Sequence, residues 1–223
     1  MGVKLRAVWF DLDGTLVDSA VDLAAPIHAM RMERGLAPID AELLRPYTSM
    51  GARGLLMRGL DVQKGDQDFE ALRDEFLARY EKAMVVHTGL FPGMAQVLEH
   101  LDAQGLIWGV VSNKFERYVR HILDALQLTA RCAAVVGGDT TPFPKPNPAN
   151  LFYACGAAAV DPRQCVYVGD DRRDIEAGQA AGMRTLAAAY GYCGDTLDPS
   201  LWGADGLIET PLQLCTWLEQ QII

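Results

Sequence analysis

The sequence predicts a doubly wound α/β fold: a Rossmann-like parallel sheet with an all-helical insertion behind its first strand. Three observations lead there. Short apolar runs alternate with amphipathic helical stretches, the signature of parallel strands joined by crossover helices. That alternation is suspended once, between Asp18 and Val86, where only helical patterns occur. Polar and acidic clusters stand at the ends of the apolar runs, on the sheet edge where such folds bind ligands.

Taken in order, the first strand is read in LRAVWFD, residues 5–11. Three helical patterns follow: DSAVDLAAPIHAMRMERG, DAELLRPYTSMGARGLLMRG and DQDFEALRDEFLARYEKAM. In the last, Leu72, Phe76, Leu77 and Tyr80 recur at helical spacing. Hinges are expected near Val17–Ser19 and Val86–Gly89. This divides the chain into a core of residues 1–17 and 87–223 and a helical domain of residues 18–86, placed to act as a lid. Beyond it, strands are read at 106–113, 132–138, 165–171, 184–190 and 204–209. Helices are read at 93–105, 115–128, 147–158 and 172–182.

Composition narrows the function. A net charge of −9 excludes the basic stripe that nucleic-acid binding needs. An acidic protein that takes an anionic substrate must then supply cations locally. No apolar run reaches membrane-spanning length, and residues 1–14 lack the pattern of a secretory signal. Arg6 spoils a lipidation reading of Met1–Gly2. Five scattered cysteines without a CxxC pair read as reduced thiols, so a cytoplasmic location is expected.

The chemistry is concentrated in four short stretches. In VWFDLDGTLVDS, Asp11 and Asp13 are two apart, so on extended backbone they point the same way. Two such carboxylates repel unless a cation or a proton intervenes. Ser112-Asn113 close the strand at 106–113. Lys145 sits in TPFPKPNP, a loop stiffened by prolines. VGDDRRD supplies Asp170, Asp171 and Asp174. Taken singly, DxDG is a solvated turn, Ser112 a helix cap and Asp171 the cap of the next helix. The four histidines, His28, His87, His100 and His121, are read as ordinary residues.

In this order the stretches resemble the motifs of the haloacid dehalogenase-like hydrolase superfamily, in its phosphatase branch, along the whole chain. The resemblance implies that Asp11 is a nucleophile forming an aspartyl-phosphate and that Asp13 is the general acid and base. It implies Mg²⁺ as cofactor, held by Asp11, Asp13 and Asp170, with Asp171 or Asp174 supporting the metal's water. Ser112 and Lys145 would hold phosphoryl oxygens, with Asn113 and Thr15 as secondary contacts. The helical insertion would be the cap, and TSMGARGLL resembles the specificity loop of capped members. There Met50, Gly51 and Arg53 would face the leaving group, Arg53 either pairing with a substrate carboxylate or facing solvent. Within the branch the chain resembles phosphoglycolate phosphatases. In HTGLFPGM, AYGY and WGADGLIETPLQL it resembles bacterial N-acetylmuramic acid 6-phosphate phosphatases. The partner implied is a small phosphate ester, not nucleic acid or membrane; monomer and homodimer both stay open. A hexose-phosphate mutase of the same superfamily is the competing enzyme, and a phospho-receiver module the competing binder.

Overall fold

The computed structural model describes residues 4–194 and 197–221; Met1 and Gly2, considered above for lipidation, lie outside them. The chain opens with β1 (Ala7–Phe10) and β2 (Val17–Asp18), then runs through α1 (Ala20–Glu33), α2 (Gly51–Leu60) and α3 (Phe69–Lys82). It returns through β3 (Gly89–Leu90) and α4 (Met94–Ala103) to β4 (Ile107–Val111), α5 (Glu116–Ala125), β5 (Val135–Val136) and α6 (Ala149–Ala157). β6 (Cys165–Gly169), α7 (Arg172–Ala180), β7 (Arg184–Ala188), β8 (Gly206–Ile208) and α8 (Gln213–Gln221) complete it.

Six strands form one sheet in the order β5-β4-β1-β6-β7-β8, every pair parallel. β1 is fully buried because both faces are covered, which is why it reads as a continuous apolar run. Its side chains alternate. Val8 and Phe10 join the core shared with α4, α5 and α8; Ala7 and Trp9 join the core under α6 and α7. The first core continues into α1, α2 and α3 through Ile27, Met30, Leu55 and Phe76.

One expectation is corrected. The pattern over residues 40–59 is not one helix: it forms short 3-10 turns at Ala41–Leu43 and Arg45–Met50 before α2 begins. Pro46 explains the break, since it carries no N–H and its ring disfavours helical geometry for Arg45. At the expected hinge positions the outgoing and returning chains meet. β2 and β3 pair as an antiparallel ribbon, Val17 opposite Leu90 and Asp18 opposite Gly89.

Asp22, in the first turn of α1, fastens that ribbon. Its carboxylate accepts N–H donors from Val86 (3.0 Å), His87 (2.9 Å) and Thr88 (2.8 Å), and the Thr88 hydroxyl at 2.7 Å. Burial pushes this carboxyl up, but the Thr88 hydroxyl and the three N–H groups outweigh it and hold it below its ordinary value of 3.8. Asp22→Asn turns one acceptor into a donor facing those N–H groups and is expected to cost about 2–3 kcal/mol. Such an acid stabilises the fold fully above its unfolded pKa, and this contribution disappears as pH falls through the folded one. Denaturant melts at several pH values should therefore show the gap between the two proteins widest at neutrality and narrowing below about pH 4.

Candidate active site

The register sets the site. Phe10 lies opposite both Val110 and Val168, so β1, β4 and β6 end side by side. The next residues out are Asp11, Val111-Ser112 and Gly169-Asp170, at the point where the strand order reverses direction. The Asp11 N–H donates to the Val168 carbonyl at 2.9 Å, which fixes its backbone beside β6. Gly14 has φ of 87°, and a Cβ there would stand 2.1 Å from an Asp170 carboxylate oxygen. Only glycine lets the turn after Asp13 press against Asp170.

Asp11, Asp170 and Asp174 offer carboxylate oxygens that all lie within 4.8 Å of one another. Lys145 enters the same cluster, its Nζ 2.6 Å from Asp174 and 2.9 Å from Asp11. It also donates to the Tyr167 hydroxyl at 2.7 Å. The ammonium is buried with the acids: burial lowers its pKa, Asp11 and Asp174 raise it, and the net shift is upward. One cation does not balance three carboxylates. Burial, then the charges of Asp11 and Asp174, push Asp170 well above the ordinary carboxyl range. Burial likewise raises Asp174, against the pull of Lys145. The Asp11 Oδ1, although buried, accepts no hydrogen bond; Lys145 meets it as a charge, off the hydrogen-bond axis. An all-oxygen acidic donor set with an unserved oxygen fits a hard divalent cation.

Asp170 is held from behind. The Thr15 hydroxyl donates to it at 2.8 Å and the Tyr192 N–H at 2.9 Å. Thr15 is fully buried, so it positions Asp170 and does not reach the cavity as a phosphate contact. Asn113 lines the cavity, but its side chain is spent on the Lys145 backbone, accepting at 2.9 Å and donating at 3.0 Å. It pins the Lys145 loop to the end of β4. Asp171 caps α7 and pairs with Arg173 at 2.7 Å, while Asp174 completes the capping box and joins the acidic cluster. Of the two, Asp174 is the one whose carboxylate joins Asp11 and Asp170.

Asp13 stands apart from that cluster. Its carboxylate takes both arms of an ion pair with Lys114, at 2.8 and 3.0 Å, and a 2.5 Å hydrogen bond from the Ser19 hydroxyl. Asp13, expected among the metal residues, keeps its carboxylate outside the group formed by Asp11, Asp170 and Asp174. Burial lowers the Lys114 pKa, but the Asp13 charge outweighs it and drives the net shift upward. Lys114 also sits over the Tyr80 ring of α3, 4.8 Å from its centroid. Sequence reading passed over Lys114, although it directly follows Ser112-Asn113. It also passed over Tyr80 as anything but core.

Both acids open on one cavity of about 330 Å³ between the sheet edge and the helical segment. Ser112, Lys145 and Asp174 line its floor; Met50, Gly51, Phe76, Leu77 and Tyr80 line the opposite wall. No histidine lines it. Of the two alternatives for Arg53, its side chain takes the solvent-facing one: it is exposed and absent from the lining, whereas Arg73 of α3 is present.

Comparison with known proteins follows this geometry. An N-acetylmuramic acid 6-phosphate phosphatase of Pseudomonas putida is 43% identical over 95% of this chain and 95% of its own. A phosphoglycolate phosphatase of Xanthomonas campestris is 46% identical over 94% of each. A crystal structure from Haemophilus somnus, described as a predicted phosphoglycolate phosphatase, superposes with a TM-score of 0.84 at 29% identity, covering 96% of this chain and 97% of that one. Residues 8–188 match the profile of the haloacid dehalogenase-like hydrolases. With the motif residues gathered at one sheet edge and phosphatases as its full-length relatives, the chain belongs to that family, in its phosphatase branch.

Proposed function

We propose that the protein is a Mg²⁺-dependent phosphomonoesterase that works through an aspartyl-phosphate on a small carboxylate-bearing phosphate ester, as a phosphoglycolate phosphatase does. One observation carries the reading. Asp11 lies within a cluster of Asp170, Asp174 and Lys145, while Asp13, two residues on, is held separately by Lys114 and Ser19 in the same cavity. Two acids with different partners suit two tasks.

Asp11 attacks phosphorus with one carboxylate oxygen, leaving the other for the metal and Lys145. Lys145 steadies Asp11 and meets the phosphoryl oxygens, and the Ser112 hydroxyl donates to them. Asp13 hands a proton to the leaving oxygen and later takes one from water. Asp11, Asp170 and Asp174 hold Mg²⁺, which when bound neutralises charge on the phosphoryl group. Residues 18–86 serve as a cap over a core of residues 1–17 and 87–223. The five free cysteines support a cytoplasmic setting.

A second reading, N-acetylmuramic acid 6-phosphate as substrate, is favoured by the cavity. Its volume of about 330 Å³ lies in the range of pockets that enclose a whole small ligand. Its aromatic wall also suits a sugar ring. The deciding experiment is kcat/KM over phosphoglycolate, N-acetylmuramic acid 6-phosphate and N-acetylglucosamine 6-phosphate, with Mg²⁺ and with chelator. Hydrolysis is expected only with the metal. Equal turnover in chelator would remove the metal from the scheme, and no turnover of any ester would remove the enzyme reading.

A further inference from the structure

We propose that Arg73 is the residue that reads the substrate's carboxylate, and that it reads it at a distance a two-carbon ester does not span. The inference rests on the second reading above, a carboxylate-bearing sugar phosphate in place of phosphoglycolate, and adds which residue meets its acid.

Four cationic side chains line the cavity, and their partners differ. Lys145 is committed to Asp11 and Asp174, and Lys114 to Asp13. Arg173 is committed to Asp171, whose side chain is 14% exposed, and to the Ser49 carbonyl. Among the described residues Arg73 pairs with Glu70 and Asp74, whose side chains are 64% and 71% exposed. Surface pairs of this kind contribute little and exchange readily. Arg73 is thus the lining cation that one rotamer change frees for a bidentate hold on an incoming carboxylate.

Its position on α3 sets the reach. Arg73, Phe76, Leu77 and Tyr80 line the cavity at i, i+3, i+4 and i+7, one stripe along the helix. Tyr80 marks the catalytic end, because its ring lies against Lys114 and Lys114 holds Asp13. Arg73 is two turns back, about 10 Å along the axis. In phosphoglycolate, phosphorus and carboxyl carbon are three bonds apart, roughly 4 Å. An acid ether-linked across a pyranose ring from a phosphorylated hydroxymethyl group lies about twice as far away. Phe76, Leu77 and Tyr80 would cover the ring between the two anchors. The class of substrate is a sugar phosphate with a carboxylate on the far side of its ring.

Arg73→Gln tests this, with Arg73→Lys as the charge-retaining partner and melting curves to confirm folding. The readout is the ratio of kcat/KM for N-acetylmuramic acid 6-phosphate to that for N-acetylglucosamine 6-phosphate, which lacks the acid. The wild-type ratio is expected to exceed ten, to collapse toward one in Arg73→Gln and to recover in part in Arg73→Lys. Phosphoglycolate is expected to be a poorer substrate than the carboxylated sugar. A wild-type ratio near one would overturn the carboxylate reading, and this inference with it. A high ratio that survives in Arg73→Gln would overturn the assignment of Arg73 alone. Better turnover of phosphoglycolate than of the carboxylated sugar would overturn the distance argument.

Discussion

Asp11→Asn is expected to reduce Mg²⁺-dependent hydrolysis of p-nitrophenyl phosphate by roughly 10⁴-fold or more, the scale of losing a nucleophile. The fold should survive. Asparagine has the same shape, and the change removes one of three crowded carboxylates while Lys145 keeps Asp174 at 2.6 Å. The melting temperature of the metal-free variant should match or exceed that of the parent, because relieving like-charge repulsion favours the folded state. A folded variant with appreciable turnover would exclude Asp11 as the attacking group. A variant that melted well below the parent would mean that its carboxylate is structural before it is chemical.

Lys145→Met is expected to be costly in both respects. Removing one partner of a buried ionic cluster typically costs about 3–5 kcal/mol, or roughly 10 °C of melting temperature in a chain of this size. The loss arises at Asp174, only 1% exposed at its side chain, which would keep Tyr167 but no cation. That acid escapes part of the penalty by taking a proton. Burial already pushes the Asp174 carboxyl up to about 7 in the parent, so the destabilisation relative to the parent should grow as pH rises past that value. Activity should fall by at least about 10²-fold, since a preorganised donor to the phosphoryl oxygens is gone. Adding Asp174→Asn should return much of the stability in chelator and none of the activity. Additive losses in melts of the two single variants and the double would show that Lys145 and Asp174 do not act as a unit.

How much of this was legible in the sequence depends on how local each feature is. The sheet was readable because a strand buried on both faces must be apolar throughout, as β1, β4 and β6 are. The acids and Lys145 were readable because each ends a strand or fills a rigid loop, and strand ends of a parallel sheet share one edge. Helix phase was not readable. Gly51 begins α2 and faces the cavity; Arg53, two residues on, is turned about 200° from it and is exposed. The cation that does face inward, Arg73, belongs to a stripe on a helix whose docking partner is far away in the chain. The roles of Thr15 and Asn113 were equally hidden. Both were expected near phosphate, and both hold neighbours 155 and 32 residues away.

The paired entry and exit of the helical segment has a wider consequence. Val17 and Leu90 face each other across the ribbon, so the outgoing and returning chains are about 5 Å apart. To the sheet, everything between them is one long excursion from a single socket, and lengthening or replacing such an excursion adds little closure entropy. A module of another length can then leave from the same socket without disturbing the register that brings residues 11, 112 and 170 together.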